Sequence, residues 1–512
     1  MMLDAVFGQA YYLHFDPKLR AAAQPYAPLG ALYAASVARE AGHKVALFDA
    51  MLAESEHEWA QALDRWRPRV AVIYEDSFNY LSKMCLLRMR EAALKMIDLA
   101  RMRRIPVVLA GSDATDHPDI YLQRGAEMVI AGEGESAIVD VLDVLTARRA
   151  APAEGLAGTC RMQEGRLLRT PARPLLRDLD ALPAPAWDLV DVERYRAIWQ
   201  ERHGYFSMNL ATTRGCPYHC NWCAKPIYGQ RYAARSPERV ADEVAWLKRS
   251  YRPDHFWIAD DIFGLRPGWI ESFADAVQAR DVITPFKCLL RADGVTETIA
   301  TALARAGCHT AWIGAESGSQ SVLDAMEKGT RVADIETATA RLHAAGINVG
   351  FFLQFGYPGE TRPDIEATLD MVRRYRPDDI GVSVSYPLPG TPFYERVKAQ
   401  LGVKQNWVDS NDLAMMYRAS YAPDFYRALH ALVHAEFRTR PFEPVTRPVL
   451  GPPPAAARRL RESAARGWHR LRLPWLRRKV NRLAGRPNAG ALPKLVPVLS
   501  HQAARIPSEQ ET

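Results

Sequence analysis

Two successive series of alternating strand and helix patterns predict an α/β protein. The order is a doubly wound parallel sheet, a partial (β/α)6 barrel, a helical region and a basic tail. Three observations carry this reading. Residues 1–150 alternate short apolar runs with amphipathic stretches. The stretch from about 205 to 390 repeats the alternation six times. Glycines, prolines and polar residues punctuate the ends of the apolar runs. At 512 residues the chain is too long for one ordinary core, and an apolar share of 48% with 24% charged residues excludes wholesale disorder.

In the first series, 29–41 reads as a helix stopped by Gly42, 44–49 as a strand, 58–66 as a helix and 70–74 as a strand. A long helix follows over 81–103, then strands at 106–110 and 127–131, and a helix at 136–147. Parallel sheets of this kind bind ligands at the carboxyl ends of their strands. Those ends hold Tyr74, Glu75 and Ser77, then Gly111 and Ser112, then Gly132, Glu133 and Gly134. Five prolines mark 151–200 as a linker. The second domain, 201–395, has strands at 207–213, 255–259, 286–290, 310–315, 349–355 and 380–385. Helical patterns at 237–250, 269–279, 297–306, 332–345 and 361–375 separate them, so active residues are expected at strand carboxyl ends. Residues 396–440 read as helical and aromatic. Residues 441–512 form a Pro-rich and basic tail, expected to be partly disordered.

The charge is unevenly placed. The chain carries 66 Lys+Arg against 59 Asp+Glu, a net +7. Between Arg458 and Arg486 eleven basic residues face one acid, Glu462, which puts +10 in that stretch and leaves −3 on residues 1–457. The body is not basic, and no nucleic-acid module is visible. No run of about 18 apolar residues is present, and Asp4, Gln9, His14 and Asp16 break the N-terminal stretch, so neither a spanning helix nor a signal peptide is expected. Seven cysteines, three of them within eight residues, suit a metal site in a reducing cytoplasm better than a disulfide framework.

Those three are Cys216-Pro-Tyr-His-Cys220-Asn-Trp-Cys223, directly after the first strand of the second domain. Thiolates at this spacing select an iron–sulfur cluster, zinc or Cu(I). A zinc knuckle completed by His219 or a distant cysteine is the alternative to a cluster with one iron free for another ligand. The motif, with Trp222 before its last cysteine, resembles the radical S-adenosylmethionine (SAM) signature. The resemblance implies that Cys216, Cys220 and Cys223 hold a [4Fe-4S] cluster whose fourth iron chelates SAM. Reductive cleavage would then give methionine and a 5′-deoxyadenosyl radical. It also implies SAM contacts from Asp260 and Asp261 after the second strand, Arg291 after the third, Glu316 and Ser317 after the fourth, and Gly356 after the fifth.

The glycines ahead of this domain resemble those of the cobalamin-binding, Rossmann-like domain attached to many radical SAM enzymes. Tight βα turns are the plain alternative. Two departures stand out: Gly111-Ser112-Asp113 replaces a Gly-Gly pair, and no Asp-x-His-x-x-Gly supplies a histidine to cobalt. Together the resemblances imply cobalamin, SAM and a [4Fe-4S] cluster as cofactors, and a one-electron reductant of flavodoxin or ferredoxin type. The implied activity is methylation of an unactivated carbon or phosphorus of a small-molecule, lipid or natural-product substrate. Cyclisation or rearrangement with the same cofactors is the runner-up; a cobalamin or redox sensor, or a zinc-stabilised binding module, is the non-enzyme alternative.

For 458–486 three readings compete: nucleic-acid binding, disfavoured by the acidic body; a solvated helix; and peripheral contact with the inner membrane face. The last rests on Trp468, Leu471, Trp475 and other apolar residues interleaved with arginines, with Pro474 expected to interrupt any single helix.

Overall fold

The structure, a computed structural model, describes residues 3–150, 155–223, 227–440, 456–486 and 488, with side chains of the last helix described from 463 onward. The expected Pro-rich stretch after 440 and the small, polar end after 488 lie outside the described residues.

In the first domain β1 (Ala5–Gly8), β2 (Val45–Leu47), β3 (Val70–Tyr74), β4 (Val107–Ala110) and β5 (Met128–Ile130) are parallel. Helices Leu29–Glu40 and Glu135–Leu145 pack on each other, as do Glu56–Trp66 and Leu87–Arg101. With both faces covered, β1, β3, β4 and β5 are buried along their whole length, which is why they read as unbroken apolar runs. β6 (Thr159–Gln163) and β7 (Arg166–Arg169) add an antiparallel hairpin, giving the order β2-β1-β3-β4-β5-β6-β7. Strand order reverses between β1 and β3, and a crevice opens at such a reversal.

Four sequence expectations change here. β1 went unread because four apolar residues at a chain start carry no period. The 151–200 linker contains the β6–β7 hairpin and a helix, Val192–His203, neither of which shows a long apolar repeat. The long helix expected over 81–103 is two, Tyr80–Met84 and Leu87–Arg101, broken where Cys85 takes φ of 49°. Pro474 does not interrupt the tail: Ala456–Ala484 is one helix running through it. Proline removes one backbone donor and crowds the preceding turn. Here the helix lies along Pro423–Arg438, where Leu476 and Val480 are buried, and that packing offsets the local loss.

The second domain holds β8 (Ser207–Leu210), a two-residue antiparallel ladder of β9 (Thr213–Arg214) and β10 (Ala233–Ala234), then β11 (His255–Ile258), β12 (Phe286–Leu290), β13 (Cys308–Glu316), β14 (Asn348–Phe355) and β15 (Asp379–Val384). The six long strands are parallel in the order β15-β14-β13-β12-β11-β8, an open half-barrel. Phe256, Ile258 and Phe286 meet Val244, Phe273 and Val277 of the covering helices. By the two-residue period, Trp257, Lys287, Trp312 and Phe352 face the lumen.

The domains are tied together at many points. Asn209 donates to the Ala27 carbonyl at 2.8 Å and accepts from its N–H at 3.1 Å. Trp199 Nε1 donates to Pro25 at 2.9 Å. From the C-terminal region, Asn406 donates to the Cys85 carbonyl and the Ser410 hydroxyl to Asp16. Phe393, Trp407, Tyr417, Phe425 and Tyr426 are buried, so these five aromatics are core.

The turn after β13 is tightly packed. A Cβ on Gly318 would lie 2.3 Å from the Ala367 carbonyl oxygen and 2.8 Å from Thr368 Cα, both backbone atoms. Gly318→Ala is therefore expected to cost about 1–3 kcal/mol through overpacking, measured as a lower unfolding midpoint; an unchanged midpoint contradicts this packing.

Candidate functional site

The cysteine loop leaves the barrel through the β9–β10 ladder. Gly215 precedes Cys216 at φ of 74°, and a Cβ there would lie 2.1 Å from the Arg231 carbonyl oxygen, so only glycine fits the fold-back. Cys216 is buried, Cys220 and Cys223 are half-buried, and His219 is exposed. Two cations stand beside the loop. Arg291 lies 3.6 Å over the Tyr218 ring, with Nη1 3.9 Å from Cys220 Sγ. It is held by Asp293 at 2.8 Å and by the Lys328 carbonyl and Thr330 hydroxyl at 2.9 Å. Lys328 pairs with Glu316 at 3.1 Å and lies 5.9 Å from the Trp222 ring. Glu316 adopts φ of 59°, a left-handed conformation uncommon outside glycine, at the end of β13.

Cys220, Trp222, Arg291 and Glu316 are thus gathered around Lys328, which no sequence motif marked. The other residues expected at SAM have partners within the protein. Asp260 braces the loop: burial pushes its carboxyl up to about 6, and it accepts from the Thr212 N–H at 2.7 Å and the Thr213 N–H at 3.0 Å. Asp261 pairs with Lys83 of the first domain at 2.5 Å. Ser317 bonds the Thr368 hydroxyl. Gly356 donates to Glu360 at 2.6 Å and accepts from the Tyr417 hydroxyl at 2.5 Å.

At the first sheet's switch point Glu75 accepts from the Ala10 N–H at 3.0 Å through one oxygen. Its other oxygen and both polar atoms of the Gln9 amide are buried with no partner among the described residues. Gly111 packs so closely on Glu75 that a Cβ would come within 2.5 Å, and Gly134 packs likewise on Tyr74 at 2.7 Å. Gly132 faces open space, and Ser77 and Ser112 are buried at strand ends. Glu133 accepts from Arg214 at 2.5 Å and from the Leu176 N–H at 2.6 Å, so it joins the two domains. Arg214 also pairs with Glu135 at 2.7 Å. His117 lines a narrow cleft with Lys83, Asp113, Tyr386, Tyr394 and Asn406.

Residues 210–372 match the radical SAM superfamily, and residues 19–142 match the B12-binding domain. The chain thus joins a B12-binding domain to a radical SAM domain. It is 26% identical to an uncharacterized methyltransferase of Pyrococcus horikoshii over 74% of this chain and 80% of that one. It is 24% identical to the anaerobic magnesium-protoporphyrin IX monomethyl ester cyclase of Synechocystis, over 72% of each chain. Among solved structures, the radical SAM methyltransferase TsrM of Kitasatospora setae superposes with a TM-score of 0.61 at 20% identity, covering 78% of this chain and 75% of that one. The cobalamin-dependent radical enzyme OxsB gives 0.68 at 17% identity, covering 86% and 67%. At these identities the structures establish the fold.

The residues present fit the family's cofactors. Three thiols on one loop, with two cations beside them, are a soft donor set whose charge is compensated. The orphaned Gln9 and Glu75 atoms sit where a ligand rich in hydrogen-bonding groups would satisfy them. No sequence pattern marks Gln9, because the four-residue β1 before it is too short to show a period.

Burial pushes the Glu75 carboxyl up to about 8, with Asp113 and Asp76 adding to the effect and the Ala10 N–H opposing it. The folded chain without cofactor therefore holds a proton that the unfolded chain releases near 4.5. Its stability should fall as pH rises from about 4.5 to 8, by at most about 1.4 kcal/mol per pH unit from this group. Glu75→Gln should flatten that slope in urea titrations; an identical slope contradicts the assignment.

Proposed function

We propose that the chain methylates an unactivated carbon, or phosphorus, of a small-molecule substrate. The observation that supports this best is that both sets of strand ends open on one cleft. Lys83 of the first domain pairs with Asp261 directly after β11, and the short helix it belongs to begins at Tyr80, whose hydroxyl is pushed up by burial first and then by Cys223 and Glu316 nearby. When bound there, the cluster with SAM supplies a carbon-centred radical and cobalamin supplies a methyl group. In this reading Cys216, Cys220 and Cys223 hold the cluster. Arg291 and Lys328 set positive charge beside it, which eases addition of an electron from a flavodoxin- or ferredoxin-type donor. Glu75, protonated at neutral pH, offers a hydrogen bond at the switch point. The 405–412 segment is packed on the first domain through Asn406, Trp407 and Ser410 and lines the cleft with Gln405 and Asn406.

The similarity to the cyclase favours a second reading, cyclisation or rearrangement with the same cofactors. Product analysis separates the two. After anaerobic reconstitution with cobalamin, SAM and a one-electron reductant, methylation predicts 5′-deoxyadenosine and S-adenosylhomocysteine together, and Cys220→Ala should reduce the former to background. Deoxyadenosine without S-adenosylhomocysteine supports the second reading, and neither product overturns both.

We also propose that the last helix lies on an anionic bilayer. No helix of the described residues is long and apolar enough to cross a membrane. Ala456–Ala484 nevertheless turns Trp468, Leu471 and Trp475 outward at 59%, 78% and 57% exposure, on the side away from buried Leu476 and Val480. Arg472 lies over Trp468 and Lys479 over Trp475. Tryptophans flanked by cations suit the headgroup layer of acidic lipids. The full chain should sediment with phosphatidylglycerol vesicles and not with phosphatidylcholine vesicles, and serine at all three apolar positions should abolish this. Equal sedimentation of the variant sinks the proposal.

A further inference from the structure

The lumen of the half-barrel has a flat aromatic wall that neither the cysteine loop nor the switch point uses. In register across β12 to β15, the lumen-facing positions include Leu289, Trp312, Gly350 and Asp379, then Gly314, Phe352 and Gly381. Trp312 and Phe352 stack at 4.7 Å between centroids and 27° between planes. The glycines let these rings lie flat on the sheet. A Cβ on Gly350 would fall 2.5 Å from the Trp312 ring, and one on Gly381 would fall 3.1 Å from Phe352. Neither glycine has a positive φ, so space and not backbone conformation calls for them. Phe352 is 38% exposed although it stands mid-strand inside the barrel, so one face of the platform is uncovered.

The wall is charged at both ends. Toward the strand carboxyl ends, a Cβ on Gly314 would meet Lys328 Nζ at 2.7 Å and Glu316 Oε1 at 2.8 Å, so the platform runs directly up to the ion pair beside the cysteine loop. Toward the amino ends, Lys287 pairs in register with Trp257 and sets its ammonium 4.8 Å from that indole. Lys287 makes no hydrogen bond or ion pair among the described residues, and burial pulls its ammonium down to about 8 against the pull of Asp379. A cation on an aromatic ring, partly stripped of water, with Asp379 felt only from beyond ion-pair distance, favours an anion. Lys287 is in register with Thr310, six residues before Glu316, so about 20 Å of strand separates the cation from the cofactor end.

We propose that this lumen is the substrate chamber, and that it takes a flat, largely apolar ring system carrying an anionic group. Trp312 and Phe352 stack the ring, Lys287 pairs with its carboxylate or phosphate, and the reacting carbon points toward Cys220 and Glu316. The substrate class rests on the methyl-transfer reading above, because it assumes that chemistry occurs at the strand carboxyl ends.

Three pyrene probes on the reconstituted full-length chain test it: 1-pyrenebutyrate, 1-pyrenebutanol and 1-pyrenebutylamine, which share a ring and differ in charge. Fluorescence titration should give at least about tenfold tighter binding of the carboxylate than of the alcohol, the span of one well-placed charge pair, with the amine weakest. Lys287→Met should erase the preference and leave alcohol affinity unchanged, whereas Lys287→Arg should keep it. Gly350→Val, which displaces the Trp312 ring, should weaken all three probes. Equal binding of the three by the wild type, a preference that survives Lys287→Met, or unaltered binding by Gly350→Val overturns the proposal. Production of 5′-deoxyadenosine is measured separately, so a chain that cleaves SAM without discriminating the probes refutes the substrate class alone.

Discussion

A guanidinium held between two carboxylates, away from water, joins the two parallel sheets. Arg214 leaves the ladder just before the cysteine loop and meets Glu133 at 2.5 Å and Glu135 at 2.7 Å, both beyond the end of β5. The rings of Tyr33, Phe78 and Tyr228 surround it within 5.2 to 5.6 Å. Two acids against one base leave a negative charge in a dry place; burial accordingly raises the Glu133 carboxyl, and the Leu176 N–H takes part of the load. Removing one member of such a group leaves an uncompensated buried charge, typically a loss of about 3–5 kcal/mol. The arrangement is therefore all-or-none: the carboxyl ends of the two sheets face each other, or the charges are stranded.

That constraint gives the rest of the site its position. With Arg214 fixed, the cysteine loop begins at a set distance from the switch point of the first sheet, and Lys83 can reach Asp261. Arg291 and Lys328, the latter held by Glu316, then stand on one side of the cleft, while Glu75 and Gln9 present unsatisfied polar atoms on the other. Inside the half-barrel, the Lys328–Glu316 pair packs on Gly314, the position next to Phe352 of the Trp312–Phe352 platform. The C-terminal region closes the outside through Asn406 and Ser410.

Much of this was legible in the sequence, for reasons particular residues make plain. The six barrel strands were found because β-branched and aromatic runs alternate with amphipathic helices, and the cysteine motif because thiol spacing is a local property. Asp260 and Glu316 were marked as strand-end residues, yet Asp260 is a brace for Thr212 and Thr213, and Glu316 engages a lysine twelve residues further along. Such pairings depend on how the chain returns to a strand end, which no local pattern encodes. No local pattern marks Arg214 or Gln9 either: the partners of Arg214 lie some 80 residues away, and Gln9 follows a strand too short to show a period. Pro474 misled because propensity was weighed without the neighbouring helix.

The distance between the two cofactor sites tests the central claim most directly. Pulsed dipolar electron paramagnetic resonance between the reduced cluster and Co(II) cobalamin reports it, in the wild type and in Arg214→Met. A buried clamp predicts one short, narrow distribution in the wild type that becomes longer and broad in the variant. A narrow distribution left unchanged by Arg214→Met would show that the two faces are held together by something else.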